Sequence, residues 1–168
     1  MMDTPREEKE TKLKEGDKAP SWNLRISEDR NISLAEFKGR FVVLYFYPKD
    51  NTPGCTTEAI EFSKLLPEFR KEGVEIVGVS PDSCESHRNF INKHKLGITL
   101  ASDETKEVMK KYGVWQKKKN YGREYFGVVR STFLIGPDGR IVKAWYNVKA
   151  NGHAGKVLEE VRNIKSSG

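Results

Sequence analysis

The sequence predicts an α/β domain built on a central mixed β-sheet flanked by helices. Two apolar runs, Phe41 to Tyr47 and Val74 to Ser80, read as core strands. A helix-like stretch through Phe62, Leu65, Leu66 and Phe69 lies between them, so the two strands form a parallel βαβ unit. Arg130 to Ile135 and Ile141 to Tyr146 flank Gly136-Pro137-Asp138-Gly139, a hairpin turn that makes the last two strands antiparallel.

Residues 1–12 form a charged, mobile tail with almost nothing to bury, and 13–168 form a single domain. Trp22 to Ile26 alternates apolar and polar residues as a half-exposed strand does, and a turn follows at Glu28-Asp29-Arg30. Ser33 and Glu36 make a capping box for a short helical turn that Gly39 ends. A helix runs from about Thr56 to Lys71 and closes at Gly73, with Pro67 expected to kink it or end it early. Ser83 caps a helix reaching about Lys95, Thr105 to Tyr112 forms another, and Gly155 to Ile164 closes the chain. A βαβ unit followed by a hairpin and a final helix is the thioredoxin-like order.

At 168 residues the chain is long enough to bury a real core. No segment approaches the roughly 18 consecutive apolar residues of a membrane span, and the charged N-terminus lacks the apolar region of a secretory signal. The expected location is the cytoplasm. The net charge of +6 invites a nucleic-acid reading. The lysines, however, are spread among glutamates, and the one dense cluster, Lys117 to Lys119 running on to Arg123, reads as an exposed loop without a stacking platform. No nucleic-acid partner is therefore expected.

The two cysteines of a cytosolic chain point to redox or catalytic use rather than a disulfide framework. Cys55 stands where the first core strand gives way to a helix. Unpaired backbone N–H groups and the positive end of the helix dipole gather at such a junction. They would pull a thiol below its free pKa of about 8.5 and make it a nucleophile.

The spacing Pro48-x3-Thr52-x2-Cys55 resembles the active-site signature of the peroxiredoxins, and Thr52-Pro53-Gly54-Cys55-Thr56-x-Glu58 resembles their Q-type branch, the bacterioferritin comigratory proteins. The resemblance extends from Leu13 to Ile164 through Gly16-Asp17-Lys18-Ala19-Pro20, Gly78-Val79-Ser80-Pro81-Asp82, Arg130-Ser131-Thr132-Phe133 and Gly152-His153. It implies a thioredoxin-like fold with added N-terminal strands and an inserted helix. It also implies a peroxidase that reduces hydrogen peroxide and alkyl hydroperoxides and needs no metal, flavin or haem. Cys55 would supply the sulfur, and Thr52 would place its hydroxyl beside the peroxide. Pro48 would shield the thiol, and Arg130 would bind peroxide and favour the thiolate. The backbone N–H groups of Gly54 and Cys55 would complete the pocket. Glu58 divides evenly between helix-start chemistry and a role orienting Arg130, and Tyr47, a candidate pocket residue, reads more simply as a core aromatic.

Q-type enzymes often carry a resolving cysteine five residues after the first, where this chain has Ile60, or at a position aligned with Ile91. The remaining thiol is Cys84. It follows the second core strand as Cys55 follows the first. Parallel neighbouring strands lie about 4.8 Å apart, and a disulfide needs Cα atoms within roughly 7 Å, so unwinding a helix turn could join the two. Two cycles follow: condensation of a Cys55 sulfenic acid with Cys84, with thioredoxin or a similar dithiol as reductant, or a one-cysteine cycle resolved by an external thiol. A thioredoxin-like dithiol oxidoreductase ranks lower, because position 58 of a Cys-x-x-Cys would be Glu58. His87 and His94 read as surface histidines of one helix, His153 reads as structural, and no tetrahedral metal set emerges. A monomer or small dimer is expected.

Overall fold

The computed structural model describes residues 12–167. The tail expected over 1–12 lies outside the described residues apart from Lys12, whose ammonium sits 5.4 Å above the Tyr146 ring. The chain runs β1 (Asn23–Ser27), β2 (Arg30–Ser33), a 3-10 turn (Leu34–Phe37), β3 (Phe41–Phe46), α1 (Pro53–Lys71), β4 (Val74–Ser80) and α2 (Cys84–His94). It continues with β5 (Thr99–Ser102), α3 (Glu107–Lys111), β6 (Trp115–Asn120), β7 (Arg123–Val128), β8 (Ser131–Ile135), β9 (Ile141–Trp145) and α4 (His153–Ser167).

Among the described residues one sheet takes the order β2-β1-β5-β4-β3-β8-β9. β3, β4 and β5 pair in parallel, whereas β8 joins β3 antiparallel and β9 joins β8 antiparallel. This is the mixed, thioredoxin-like sheet that the strand pattern predicts. β3 is buried on both faces because it divides two cores. Val42, Leu44 and Phe46 point toward Met109, Tyr112 and Phe133, while Val43, Tyr45 and Tyr47 point toward Phe62, Phe69, Phe90 and Val157. α1 and α4 pack on each other over the second face.

The topology places the site. β3 ends at Phe46 beside Val79 of β4 and Ser131 of β8. The loop after β3 and the residue before β8 therefore meet at one sheet edge, which brings the first turn of α1 to Arg130.

Several elements differ from expectation. α1 begins at Pro53, one turn before Thr56, since proline without an N–H suits the first helical turn. Cys55 is therefore helical from the start. Pro67 does not end α1, which runs on to Lys71. β2 and β5 are short strands that the sequence pattern did not announce.

The basic segment expected as a loop is a two-stranded ribbon, β6 paired with β7. Its turn is Tyr121-Gly122, both at positive φ (55° and 77°), the geometry of a two-residue hairpin. Lysines at 117, 118 and 119 occupy successive positions, hence both faces, which erased the period-2 signal. Tyr121, Tyr125 and Phe126 are exposed on this ribbon.

Gly78 of β4 lies opposite Tyr45, and a Cβ there would stand 2.7 Å from the Tyr45 ring and 2.9 Å from Leu100. Both neighbours are fully packed, and Tyr45 stacks on Phe62 at 4.6 Å. We expect Gly78→Ala to cost about 1–3 kcal/mol by overpacking, read as a lower urea midpoint with an unchanged slope.

Candidate active site

Cys55 occupies the first turn of α1 and is 2% exposed, packed in the core that holds Ala59 and Phe62. Thr52 caps the helix, and its carbonyl accepts from Thr56 N at 2.8 Å. Its hydroxyl donates to the Lys49 carbonyl at 2.8 Å rather than to the helix. Pro48 begins this loop, half-buried.

Arg130 reaches the site from the start of β8. Its Nη2 stands 3.4 Å from Cys55 Sγ, and Nη1 donates to Glu58 Oε1 at 2.6 Å. Cys55 and Glu58 lie three residues apart on α1, so they share a face and one guanidinium serves both. Glu58 is fully buried, and burial pushes its carboxyl from its ordinary 4.5 up to about 7, with Arg130 pulling against that rise. Burial lowers the Arg130 pKa, but Glu58 and Cys55 outweigh it and push it above its ordinary value. Gly54 leaves the room this needs, because a Cβ on it would lie 3.1 Å from Arg130 Nη2. The geometry thus gives Glu58 the orienting contact and Gly54 a steric one.

Cys84 is the first residue of α2, half-exposed, and both thiols are free. Burial pushes its thiol up, and the charges around it are Arg25, Glu104, Arg88 and Glu28. Cys55 instead faces Arg130 and Glu58. The sequence correctly places both cysteines after adjacent parallel strands, but the two side chains have separate surroundings.

His87 departs from expectation. His87 is 1% exposed, not a surface residue. Phe90, three residues on, is also buried, and that spacing marks the inward face of α2. His87 Nδ1 lies 2.8 Å from Asp50 Oδ2, and Nε2 lies 3.0 Å from the Ala101 carbonyl. Asp50 also accepts from the Tyr47 hydroxyl at 2.6 Å and the Ser86 hydroxyl at 2.7 Å, and its own N–H donates to Asp82 at 2.8 Å. Tyr47 is a core aromatic whose polar end serves this network.

Asp50, Asp82 and His87 bring ligand-type atoms within 4.8 Å of one another. Protein donors already occupy these carboxylates, so the group is a closed network rather than a set of open ligands. His153 is buried between Phe62 and Trp145 and meets the Thr132 hydroxyl at 2.8 Å, a structural contact as its position implied. Burial, then Lys156 and Arg130, hold its pKa down at about 4, so it is neutral.

A buried thiol beside a fixed guanidinium on a thioredoxin-like sheet has the chemistry of a thiol-dependent redox enzyme. The model of the AhpC/TSA family matches residues 15–144. A bcp relative from Helicobacter pylori is 49% identical over 150 residues, 89% of this chain and 99% of its own. Peroxiredoxin Bcp of Bacillus subtilis is 43% identical over 149 residues, 89% of this chain and 95% of its own. A structure of Xanthomonas campestris bacterioferritin comigratory protein, described for its alkyl peroxide reduction activity, superposes with a TM-score of 0.80 at 43% identity, covering 84% of this chain and 90% of that one. The chain belongs to the AhpC/TSA family and, within it, to the Bcp or Q-type peroxiredoxins, which are peroxidases.

The raised Glu58 pKa sets a stability trend. A folded pKa of about 7 above an unfolded 4.5 means the native state holds the proton longer, so this contribution is complete below 4.5 and lost as pH rises through 7. Glu58→Gln keeps an acceptor for Arg130 and removes the titration. Relative to that variant, the wild type is expected to lose up to about 3 kcal/mol between these limits. Paired urea titrations at several pH values check this. Comparison with the variant cancels the opposite slope from His153.

Proposed function

We propose that this peroxiredoxin reduces hydrogen peroxide and alkyl hydroperoxides with Cys55 as the peroxidatic residue. The observation that carries the reading is the Arg130 guanidinium, 3.4 Å from Cys55 Sγ and held in place by buried Glu58. A fixed cationic donor at the sulfur favours the thiolate and stands ready for charge developing on a peroxide oxygen. The thiolate sulfur attacks one peroxide oxygen, the O–O bond breaks, and the other oxygen leaves as hydroxide or alkoxide and takes a proton. Cys55 is left as a sulfenic acid. Thr52 Oγ1, with its proton engaged on Lys49, retains lone pairs that can accept the hydroperoxide O–H. Pro48 offers no N–H and limits solvent at the sulfur.

Cys84 is the proposed resolving thiol. Its sulfur would displace water from the sulfenic acid, and thioredoxin or a similar dithiol would supply two electrons to reduce the resulting disulfide. Two features support this. β3 and β4 are parallel neighbours ending on one edge, and Asp50, five residues before Cys55, is bonded to Ser86, two residues after Cys84. The opposing observation is that Cys84 sits among Arg25, Glu104 and Arg88, which favours a one-cysteine cycle with an external thiol. A dithiol mechanism of the thioredoxin type loses ground, since Glu58, at the second cysteine's position, is committed to Arg130. No helix among the described residues is long and apolar enough to cross a membrane. The reading includes a cytoplasmic enzyme, a monomer or dimer, with one domain from residue 13 onward.

Intact mass and free-thiol count after one equivalent of hydrogen peroxide test the cycle. Loss of both thiols with a mass decrease of two hydrogens supports Cys84, and Cys84→Ser should then leave a sulfenic acid. Oxygen on Cys55 with Cys84 still free establishes the one-cysteine cycle. Cys55→Ser should abolish turnover, and retained activity would sink the assignment. Arg130→Ala should slow Cys55 oxidation by a hundredfold to a thousandfold, as loss of a pre-placed charge donor does, and Thr52→Val should slow it without unfolding the protein. An Arg130→Ala enzyme with unchanged peroxide and alkylation rates would remove Arg130 from the site.

A further inference from the structure

We propose that His87 is a positioning residue of this peroxidase: it locks Asp50, and through Asp50 the loop leading to Cys55, against the first turn of α2. The inference rests on Cys55 being the peroxidatic thiol.

Proton bookkeeping begins with Ala101. Its carbonyl can only accept, so His87 Nε2, 3.0 Å away, carries a proton. Asp50 Oδ1 receives the Tyr47 hydroxyl, and Oδ2 receives the Ser86 hydroxyl while facing His87 Nδ1 at 2.8 Å. Burial alone would raise the Asp50 carboxyl, but the bond and charge of His87, with the Tyr47 and Ser86 hydroxyls, hold it below its ordinary value. Asp50 is therefore a carboxylate, and Nδ1 donates to it, with both side chains almost fully buried. Removing either partner is expensive, because a buried polar group is then left unpaired.

The pair spans two segments distant in sequence. Asp50 belongs to the loop holding Pro48 and Thr52, five residues before the thiol. Ser86 and His87 belong to the turn that Cys84 opens, and Ser83 caps it by accepting from Ser86 N at 3.1 Å. A second tie runs in parallel: the Asp50 N–H donates to Asp82, which also accepts from Ser80 at the end of β4. The loop that aims the thiol is thus bolted to the strand end and helix beside it. Asn51, next along, adopts φ 62°, a left-handed conformation that asparagine takes more readily than most residues.

Two amide substitutions separate positioning from mere packing. The His87→Asn side chain sets its nitrogen near the place of Nδ1 and retains the donor to Asp50. The His87→Gln side chain sets it near Nε2 and retains only the donor to Ala101. The readouts are the rate constant of Cys55 oxidation by hydrogen peroxide and the melting temperature. We expect His87→Asn to stay within about threefold of wild type and His87→Gln to fall roughly tenfold to a hundredfold, as a displaced reacting group does. Equal rates for the two variants, whether both fast or both slow, overturn the proposal. So does a His87→Gln loss that tracks melting temperature alone. If His87→Gln does not fold, Ser86→Ala takes its place by removing one donor from the same carboxylate. A rate about threefold lower at little cost in stability is then expected, and a wild-type rate overturns the proposal. Wild-type protein that is itself inert to peroxide would defeat the Cys55 reading instead, so the two failures are distinguishable.

Discussion

The Arg130 guanidinium joins two groups that the interior would not otherwise hold together. A buried carboxyl without a partner is driven toward its neutral form, and a buried sulfur without a donor has nothing to favour its anion. A planar fork with two separate amino groups answers both, with Nη1 on Glu58 and Nη2 on Cys55. Lysine, whose donors share a single nitrogen, could not present two separate nitrogens in this way. The contact sets demands on every neighbour. Glu58 follows Cys55 by three residues and so shares its helix face, a Cβ at position 54 would crowd Nη2 at 3.1 Å, and the residue before β8 must arrive at the sheet edge where β3 ends. The antiparallel register of β8 on β3 meets the last demand, so the site depends on a strand that runs against the parallel set at the β3 side.

What the sequence disclosed follows from which signals were local. β3, β4, β8 and β9 announced themselves by continuous apolar runs and a Gly-Pro-Asp-Gly turn, and each formed within a residue of its expected bounds. The β6–β7 ribbon did not, because its lysines fall on both faces and no alternation survives. The start of α1 was misread by one turn because Pro53 and Gly54 resemble a loop, although proline in a first turn is favourable. At the site, Arg130 and Cys55 stood 75 positions apart and were joined only by motif resemblance, not by any local pattern.

His87 shows the limit most clearly. Its burial was available in principle, since Phe90 follows at helical spacing, yet a histidine on a charged helix invites a surface reading. What no spacing could reveal is its partner. Asp50 lies in an irregular loop whose path is set by long-range ties to Asp82, Ser86 and His87 together. Such loops carry chemistry because a rigid frame places them, and their side-chain pairings appear only when that frame is complete.

The same ties divide the site into a fixed part and a releasable part. Asp50 is held by buried His87 and two hydroxyls, whereas the helix cap at Thr52 makes no side-chain bond to α1. The first turn of α1 is therefore secured mainly by burial of Cys55 and by Arg130. Oxidation of the sulfur to a sulfenic acid changes the group that Nη2 faces, while the bond to Glu58 is unaffected. On the proposed cycle, chemistry at Cys55 thus alters the side-chain contact between Arg130 and the turn that carries the thiol. The chain from Asp50 to Cys55 is five residues, and a fully extended segment of that length spans at most about 18 Å. A hinge at Asp50 would let the thiol travel while Pro48 and α2 stay in place, and the brace that aims Cys55 for attack would also set the radius of its search for a resolving thiol.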